Sequence, residues 1–160
     1  MTALTCHTVS WRSAAKALCE VRRQVFIEEQ HVPPELEWDD ADHQANHFLL
    51  TSAAQTSRVP SGAIGCARVL REDCAGCTHF HVGRVAIVAP ARQHGAGTYL
   101  MRELLRWCQQ QTDYTHCNQV FLHAQCDVIP FYERLGFYAH GDVFMDAGIQ
   151  HRAMIWQTSL

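Results

Sequence analysis

A chain of 160 residues, 48% hydrophobic and 18% charged, has material for one domain with a sizeable core. Its net charge of −3, without a basic run or an acidic tail, points away from disorder and from nucleic acid as a partner. The opening MTALTCHTVSWRSAAK lacks the basic-then-apolar pattern of a signal peptide, and no stretch reaches the length of a membrane span, so no membrane partner is expected. Eight cysteines in that context read as reduced thiols in a cytoplasm, mostly acting as small buried hydrophobes. Lys16 is the only lysine, so arginine carries almost all the fixed positive charge.

No internal repeat or low-complexity tract divides the chain, and residues 1–160 are read as a single domain. Residues 5–10 suit a short strand. Ser10 can cap a helix from Trp11, in which Trp11, Ala14, Ala15, Leu18, Val25 and Phe26 recur at helical spacing. Val32-Pro33-Pro34 stops helical structure, and the acidic stretch 35–42 follows as a loop. Residues 47–50 and 63–70 read as strands separated by the polar loop 51–62. A turn at 74–77 leads into 80–88, the longest strand candidate. Phe80, Val82, Ala86 and Val88 alternate with Val85 and Ile87, and apolar residues on both faces mark a central strand. A helix is expected over about 95–111, with Leu100, Met101, Leu104, Leu105 and Cys108 as its buried stripe. Residues 120–124 form another short strand. Asp127 can cap a helix carrying Phe131, Tyr132 and Leu135, with Pro130 in its first turn and Gly136 at its end. Residues 137–138, 144–145 and 153–156 supply the last strands. The order predicts an α+β fold, an α/β/α sandwich with one mixed, mostly antiparallel central sheet flanked by helices.

The chemistry concentrates in the strand-turn-helix unit 83–105, whose turn reads Arg92-Gln93-His94-Gly95-Ala96-Gly97-Thr98. A helix N-terminus offers unpaired N–H groups and partial positive charge, and Gly95 and Gly97 remove side chains that would block a pyrophosphate. Arg92 and the Thr98 hydroxyl add donors. A Walker loop needs Gly-Lys-Ser/Thr, which is absent, and a Rossmann fingerprint needs a third glycine in an early parallel unit. A tight turn with no ligand remains the plain alternative.

The segment GRVAIVAPARQHGAG resembles the signature of the GNAT superfamily of acyl-CoA N-acyltransferases, Arg/Gln-x-x-Gly-x-Gly/Ala after a central strand, matched by Arg92, Gly95 and Gly97. The resemblance implies the GNAT fold, an N-acetyltransferase activity and acetyl-CoA as cosubstrate, with an amine as acceptor. It places the CoA pyrophosphate on the amides of Gln93, His94, Gly95, Ala96, Gly97 and Thr98, and the acetyl carbonyl and pantetheine arm on backbone groups of Val85 and Ile87. Further matches are similar to the ElaA-like branch: Arg23-Gln24-Val25-Phe26-Ile27-Glu28-Glu29-Gln30 with Val32-Pro33, then Glu37, Asp39, Asp42, Ala45 and His47. Ala124-Gln125, Phe131-Tyr132-Glu133-Arg134-Leu135-Gly136-Phe137, Gly148, His151 and Met154 continue it. His94 stands where many members carry Lys or Arg. Gln125 stands where the wider superfamily often has Asn, and it can hydrogen-bond the pantetheine arm. Many proteins of the superfamily form homodimers, which makes a second copy an expected partner, although no seam in the sequence marks one.

Acyl transfer from a thioester needs a neutral amine, a donor for the oxyanion and a proton for the leaving thiolate. By resemblance, Tyr132, one turn before Gly136, is the general acid; the alternative is a core aromatic with its hydroxyl satisfied elsewhere. Candidates for the base are Glu28, Glu29, Glu37, Asp39, Asp42, His47 and His151, with His151 and Glu28 carried forward. The acidic stretch can also attract a cationic amine or be a solvated loop. Cys74, Cys77, His79 and His81 fall within eight residues and suit zinc or a redox pair, but a hairpin turn explains them as well, and no metal is expected. The readings that compete with catalysis are a silent acyl-CoA-binding sensor on the same fold and a zinc-binding interaction module.

Overall fold

In the computed structural model, which describes residues 3–53, 62–111 and 118–157, the chain opens with strand β1 (Leu4–Val9) and helix α1 (Trp11–Arg22). Ser10 is in extended backbone and its hydroxyl accepts the Ser13 N–H at 3.2 Å, the expected N-cap. Helical structure continues through a π-helical segment, Arg23–Glu29. The wider turn brings Val25 into the core and leaves Phe26 beside a cleft. The stretch expected as an acidic loop is more ordered than that. Pro34–Glu37 forms the short helix α2, because proline at the first helical position has its φ preset, and Asp40–His43 is a 3-10 turn.

Strands β2 (Asn46–Ser52), β3 (Ala63–Cys74) and β4 (Cys77–Ile87) come next. Thr51 and Ser52, expected in a loop, belong to β2; residues 54–61 of that loop lie outside the described residues. Ala75 and Gly76, both at positive φ, make the two-residue turn that sets Cys74 opposite Cys77. Helix α3 (Ala96–Gln109) buries the expected stripe Leu100, Met101, Leu104, Leu105 and Cys108. Then come β5 (Val120–Gln125), helix α4 (Ile129–Glu133), β6 (Phe137–Asp146) and β7 (Ile149–Trp156). Asp127 does not cap α4. It lies in a 3-10 turn, and Val128 takes the N-cap position without a side-chain bond, leaving Pro130 to open the helix. Gly136, at φ +92°, ends it.

The seven strands form one sheet in the order β1-β2-β3-β4-β5-β7-β6, antiparallel everywhere except between β4 and β5. This is the mixed, mostly antiparallel sheet of an α+β fold. Its core joins Leu18, Val21 and Val25 with Phe48, Leu50, Val69, Phe80 and Val82, and with Leu100, Met101, Leu104, Leu122 and Met154. Two irregularities in β4 interrupt the regular sheet. Arg68 pairs with Gly83 but Cys66 pairs with Ala86, so β4 carries one extra residue opposite Ala67, a bulge in which Arg84 takes φ +52°. The β4–β5 pairing covers only Phe80–Val120, His81–Phe121 and Val82–Leu122, after which the two strands part.

Candidate active site

Where β4 and β5 separate, a cleft of about 760 Å³ opens between them. Val85 and Ile87 line one wall, and Leu122, His123 and Gln125 line the other. Parallel strands that stop pairing leave backbone N–H and C=O groups facing the gap, which suits an amide-bearing chain. Gly65 makes this wall possible. A Cβ there would lie 2.9 Å from the Ala86 carbonyl oxygen and closer still to Ile87 Cδ1.

The floor of the cleft is the turn before α3. Gln93 (φ +65°) and Gly95 (φ +81°) are both left-handed, and Gly95 is the N-cap of α3 with no side-chain capping bond. The first helical bond at this end runs from the Tyr99 N–H to the Gly95 carbonyl. The successive N–H groups of residues 93–98 meet no acceptor among the described residues. Such a run of amides at a helix start has the geometry of known concave anion sites. Gly97 lets the helix start pack close to the cleft's side chains, since a Cβ there would press on Phe131 at 3.3 Å and meet Ile87 at 3.7 Å.

Most of the expected cosubstrate residues meet here: Val85, Ile87, Arg92, Gln93, Gly95, Gly97, Thr98 and Gln125 all line the cleft. Ala96 is buried in the first turn of α3, and His94 points to solvent with Nδ1 2.6 Å from the Arg92 carbonyl. Arg92 is already engaged. Its Nε donates to the Ile87 carbonyl at 2.8 Å, and its terminal nitrogens clasp the Glu29 carboxylate at 2.5 and 2.8 Å. Gln125 donates to Gln30 at 2.7 Å.

Tyr132 is buried at the cleft, and its hydroxyl has no hydrogen bond among the described residues. Burial pushes its phenol well above the ordinary value, so it stays protonated at neutral pH. The expected bases fare differently. Glu28 lies outside the lining residues and pairs with Arg23 over solvent at 2.7 Å. Glu37, Asp39 and Asp42 belong to a charge cluster with Arg22, Arg68 and Arg84. Arg22 is 1% exposed, sandwiched between the Trp11 and Trp38 rings, and bonded to Glu37 at 2.5 Å and Asp42 at 2.8 Å. His47 donates to the Asp42 carbonyl at 2.8 Å beneath α1, a structural role. Three arginines thus neutralise Glu37, Asp39 and Asp42 from within, while Glu35 and Asp40 of the same stretch stay exposed. Only Glu37 of that cluster's carboxylates reaches the cleft.

His151 does line the cleft, its Nδ1 donating to the Ile149 carbonyl at 2.8 Å. Two further lining histidines, His81 and His123, were not expected as bases from the sequence. His123 occupies an ordinary alternating strand position, and its only signal is proximity that the sheet order creates. Its ring opens to the cleft, yet burial, then the His81 and His151 imidazoles, push its pKa below the ordinary value.

The four residues weighed for zinc do not converge. His79 accepts the Gln119 N–H at 3.1 Å, and His81 pairs with Glu72 at 2.9 Å. Cys77 is disulfide-bonded, while Cys74 across the turn is free, which corrects the expectation of reduced thiols for Cys77 and rules out a Cys74–Cys77 pair. A pairing of this kind is not deducible from cysteine spacing. Among the described residues no group of three or more His, Cys, Asp or Glu is placed to hold a metal ion. Burial pushes the Cys66 and Cys108 thiols up to about 12, which makes them poor nucleophiles.

A family model described as an acetyltransferase (GNAT) domain matches residues 14–158. The chain belongs to the GNAT acetyltransferase family. As a GNAT protein it is an acyltransferase, and the fold agrees. It superposes on Escherichia coli ElaA with a TM-score of 0.76 at 24% identity, covering 98% of this chain and 100% of that one. An acyl-CoA N-acyltransferase from Pseudomonas aeruginosa gives a TM-score of 0.71 at 26% identity, covering 98% and 100%. In sequence, the uncharacterized protein YyaT of Bacillus subtilis is 31% identical over 145 residues, 88% of this chain and 86% of YyaT. Among the described residues of this GNAT chain, no helix is long and apolar enough to cross a membrane.

Proposed function

We propose that the protein is a single-domain N-acetyltransferase that binds acetyl-CoA in the β4–β5 cleft and passes its acetyl group to an amine. The observation that carries this reading is the run of unpartnered amides at residues 93–98, a cradle that fits a pyrophosphate at the mouth of a gap that fits an amide chain.

The chain's own groups then divide the chemistry. His123 is neutral at pH 7 and takes one proton from the acceptor's ammonium, whose ordinary pKa is about 10. The freed amine nitrogen bonds to the thioester carbonyl carbon. A backbone N–H near Ile87 donates to the oxyanion. As the C–S bond breaks, Tyr132 gives its proton to the sulfur, and the second proton shed by the nitrogen restores the phenol through solvent. Arg92 holds the loop to β4 through the Ile87 carbonyl and to the π-helical segment through Glu29, which fixes the amide cradle in place. Gln125 offers its amide to the pantetheine arm.

The test is calorimetric titration with acetyl-CoA of the parent and of Gly97→Trp, whose indole would fill the cradle. Saturable binding by the parent and none by the variant is the expected pattern. Failure of the parent to bind at high micromolar concentration would remove the reading. Binding without turnover on any amine would leave a sensor instead.

A further inference from the structure

The three imidazoles at the cleft are not isolated. The His123 ring lies 5.0 Å from that of His81 at 62°, and 5.1 Å from Phe144, which stacks on His151 at 5.9 Å. His81 is also stacked on Phe121 at 4.4 Å and 19°, and Phe121 in turn lies 6.1 Å from the His123 ring. The His81 Nδ1 lies 2.9 Å from the Glu72 carboxylate. A carboxylate only accepts, so Nδ1 carries a proton, and whenever the ring is neutral the lone pair sits on Nε2. His81 lines the cleft, whereas Glu72 does not, and the Glu72 side chain is 50% exposed. A carboxylate, an oriented imidazole and a second imidazole thus follow one another from Glu72 to the cleft, where the exposed face of His123 is the one that bound substrates would cover.

A base that works between two bound substrates must lose its proton again before the next turnover. We propose that Glu72 and His81 form the exit path for the acceptor's proton, His81 taking it from His123 and Glu72 holding the imidazolium so formed. This rests on the acetyl-transfer reading above. The proton leaves the ammonium nitrogen for a His123 ring nitrogen, and passes to His81 directly or across one water. It then leaves from His81 to solvent beside Glu72, and no other bond changes. Glu72 fixes the His81 ring and tautomer, as the carboxylate does in a hydrolase triad. The charged and titratable groups that bear on His123 are His81 on β4, Glu72 on β3, His151 on β7 and Asp146 on β6. Of these, the imidazoles depress its basicity and the carboxylates support it.

The experiment compares kcat and KM against pH for the parent, Glu72→Gln and His81→Gln, with acetyl-CoA titration and thermal unfolding on each. Both residues are at the surface or partly so, and both variants should fold and bind acetyl-CoA as the parent does. The expected result is a kcat loss of about tenfold or more in each, short of the ~10²–10⁴ that a base itself contributes, with KM for the amine unchanged. The acid limb should shift in opposite directions. It moves to lower pH in Glu72→Gln, which removes a supporting carboxylate from His123, and to higher pH in His81→Gln, which removes an opposing imidazole. Charges acting on His123 through space would by themselves split the limbs but leave the plateau kcat at the parent's value, so the plateau loss is the mark of the relay. Variants that keep the parent's kcat, or limbs that move together, would overturn the relay and leave acetyl transfer standing. A parent that acetylates no amine would remove both.

Discussion

Two regions of this molecule are rich in polar groups and do opposite things with them. Beneath α1 and α2, Arg22, Arg68 and Arg84 meet Glu37, Asp39 and Asp42, and nearly every donor finds an acceptor inside the chain. At the β4–β5 cleft, the amides of residues 93–98 and the Tyr132 hydroxyl find none among the described residues. Closure consumes polar groups for structure, and openness reserves them for a ligand. The charge cluster also stands next to the cleft, where Glu37 and Arg84 reach its lining, so the closed region holds one wall of the open one.

That contrast can be broken most forcefully from the closed side. Arg22→Met would leave Glu37 and Asp42 buried without their shared cation, and a stability loss of about 3–5 kcal/mol is expected in urea denaturation. On the open side, Tyr132→Phe should do the reverse. The melting temperature should hold, because the hydroxyl has no bond to lose, and acetyl-CoA affinity should stay near that of the parent. Turnover should fall by about 10²–10⁴. Gly65→Ala joins the two regions. Its Cβ would strike Ile87 and the Ala86 carbonyl, and a loss of about 1–3 kcal/mol should come with weaker acetyl-CoA binding, since the displaced strand is the cleft wall. The smallest effect should come from Asp39→Asn. Hydrogen bonding to Arg68 holds the Asp39 carboxyl below its ordinary value, so its contribution is present above about pH 4 and fades as pH falls through the folded value. The variant should flatten stability on that acid side. Glu37 works with the opposite sign, because burial outweighs its arginines and raises it.

The order of elements and the glycine-bearing turn before α3 were legible because each is a local matter. Ser10, Gly95, Gly97 and Gly136 mark their ends by backbone chemistry, and the stripe of α3 shows in its spacing. What stayed hidden depends on contacts distant in sequence. The acidic stretch has the composition of a substrate-facing loop, yet Arg22, Arg68 and Arg84, from three other elements, close on it. His123 has the pattern of any polar residue on a strand, and only the sheet places it between His81 and the β6–β7 hairpin. The bulge at Arg84 escaped because a strict two-residue period has no room for an extra residue.

An unpaired strand edge is usually a hazard, since it invites another strand to add to it and so to aggregate. This sheet has its outer edges at β1 and β6, but the parting of β4 and β5 gives it a second pair of edges inside the molecule. Those inner edges face each other across a cleft floored by the start of α3 and bordered by α4. A thin chain of atoms fits there, whereas a whole strand with side chains on both faces would have to displace Phe131 and Tyr132. The protein can therefore keep backbone groups unsatisfied and ready without presenting a surface on which copies of itself would stack.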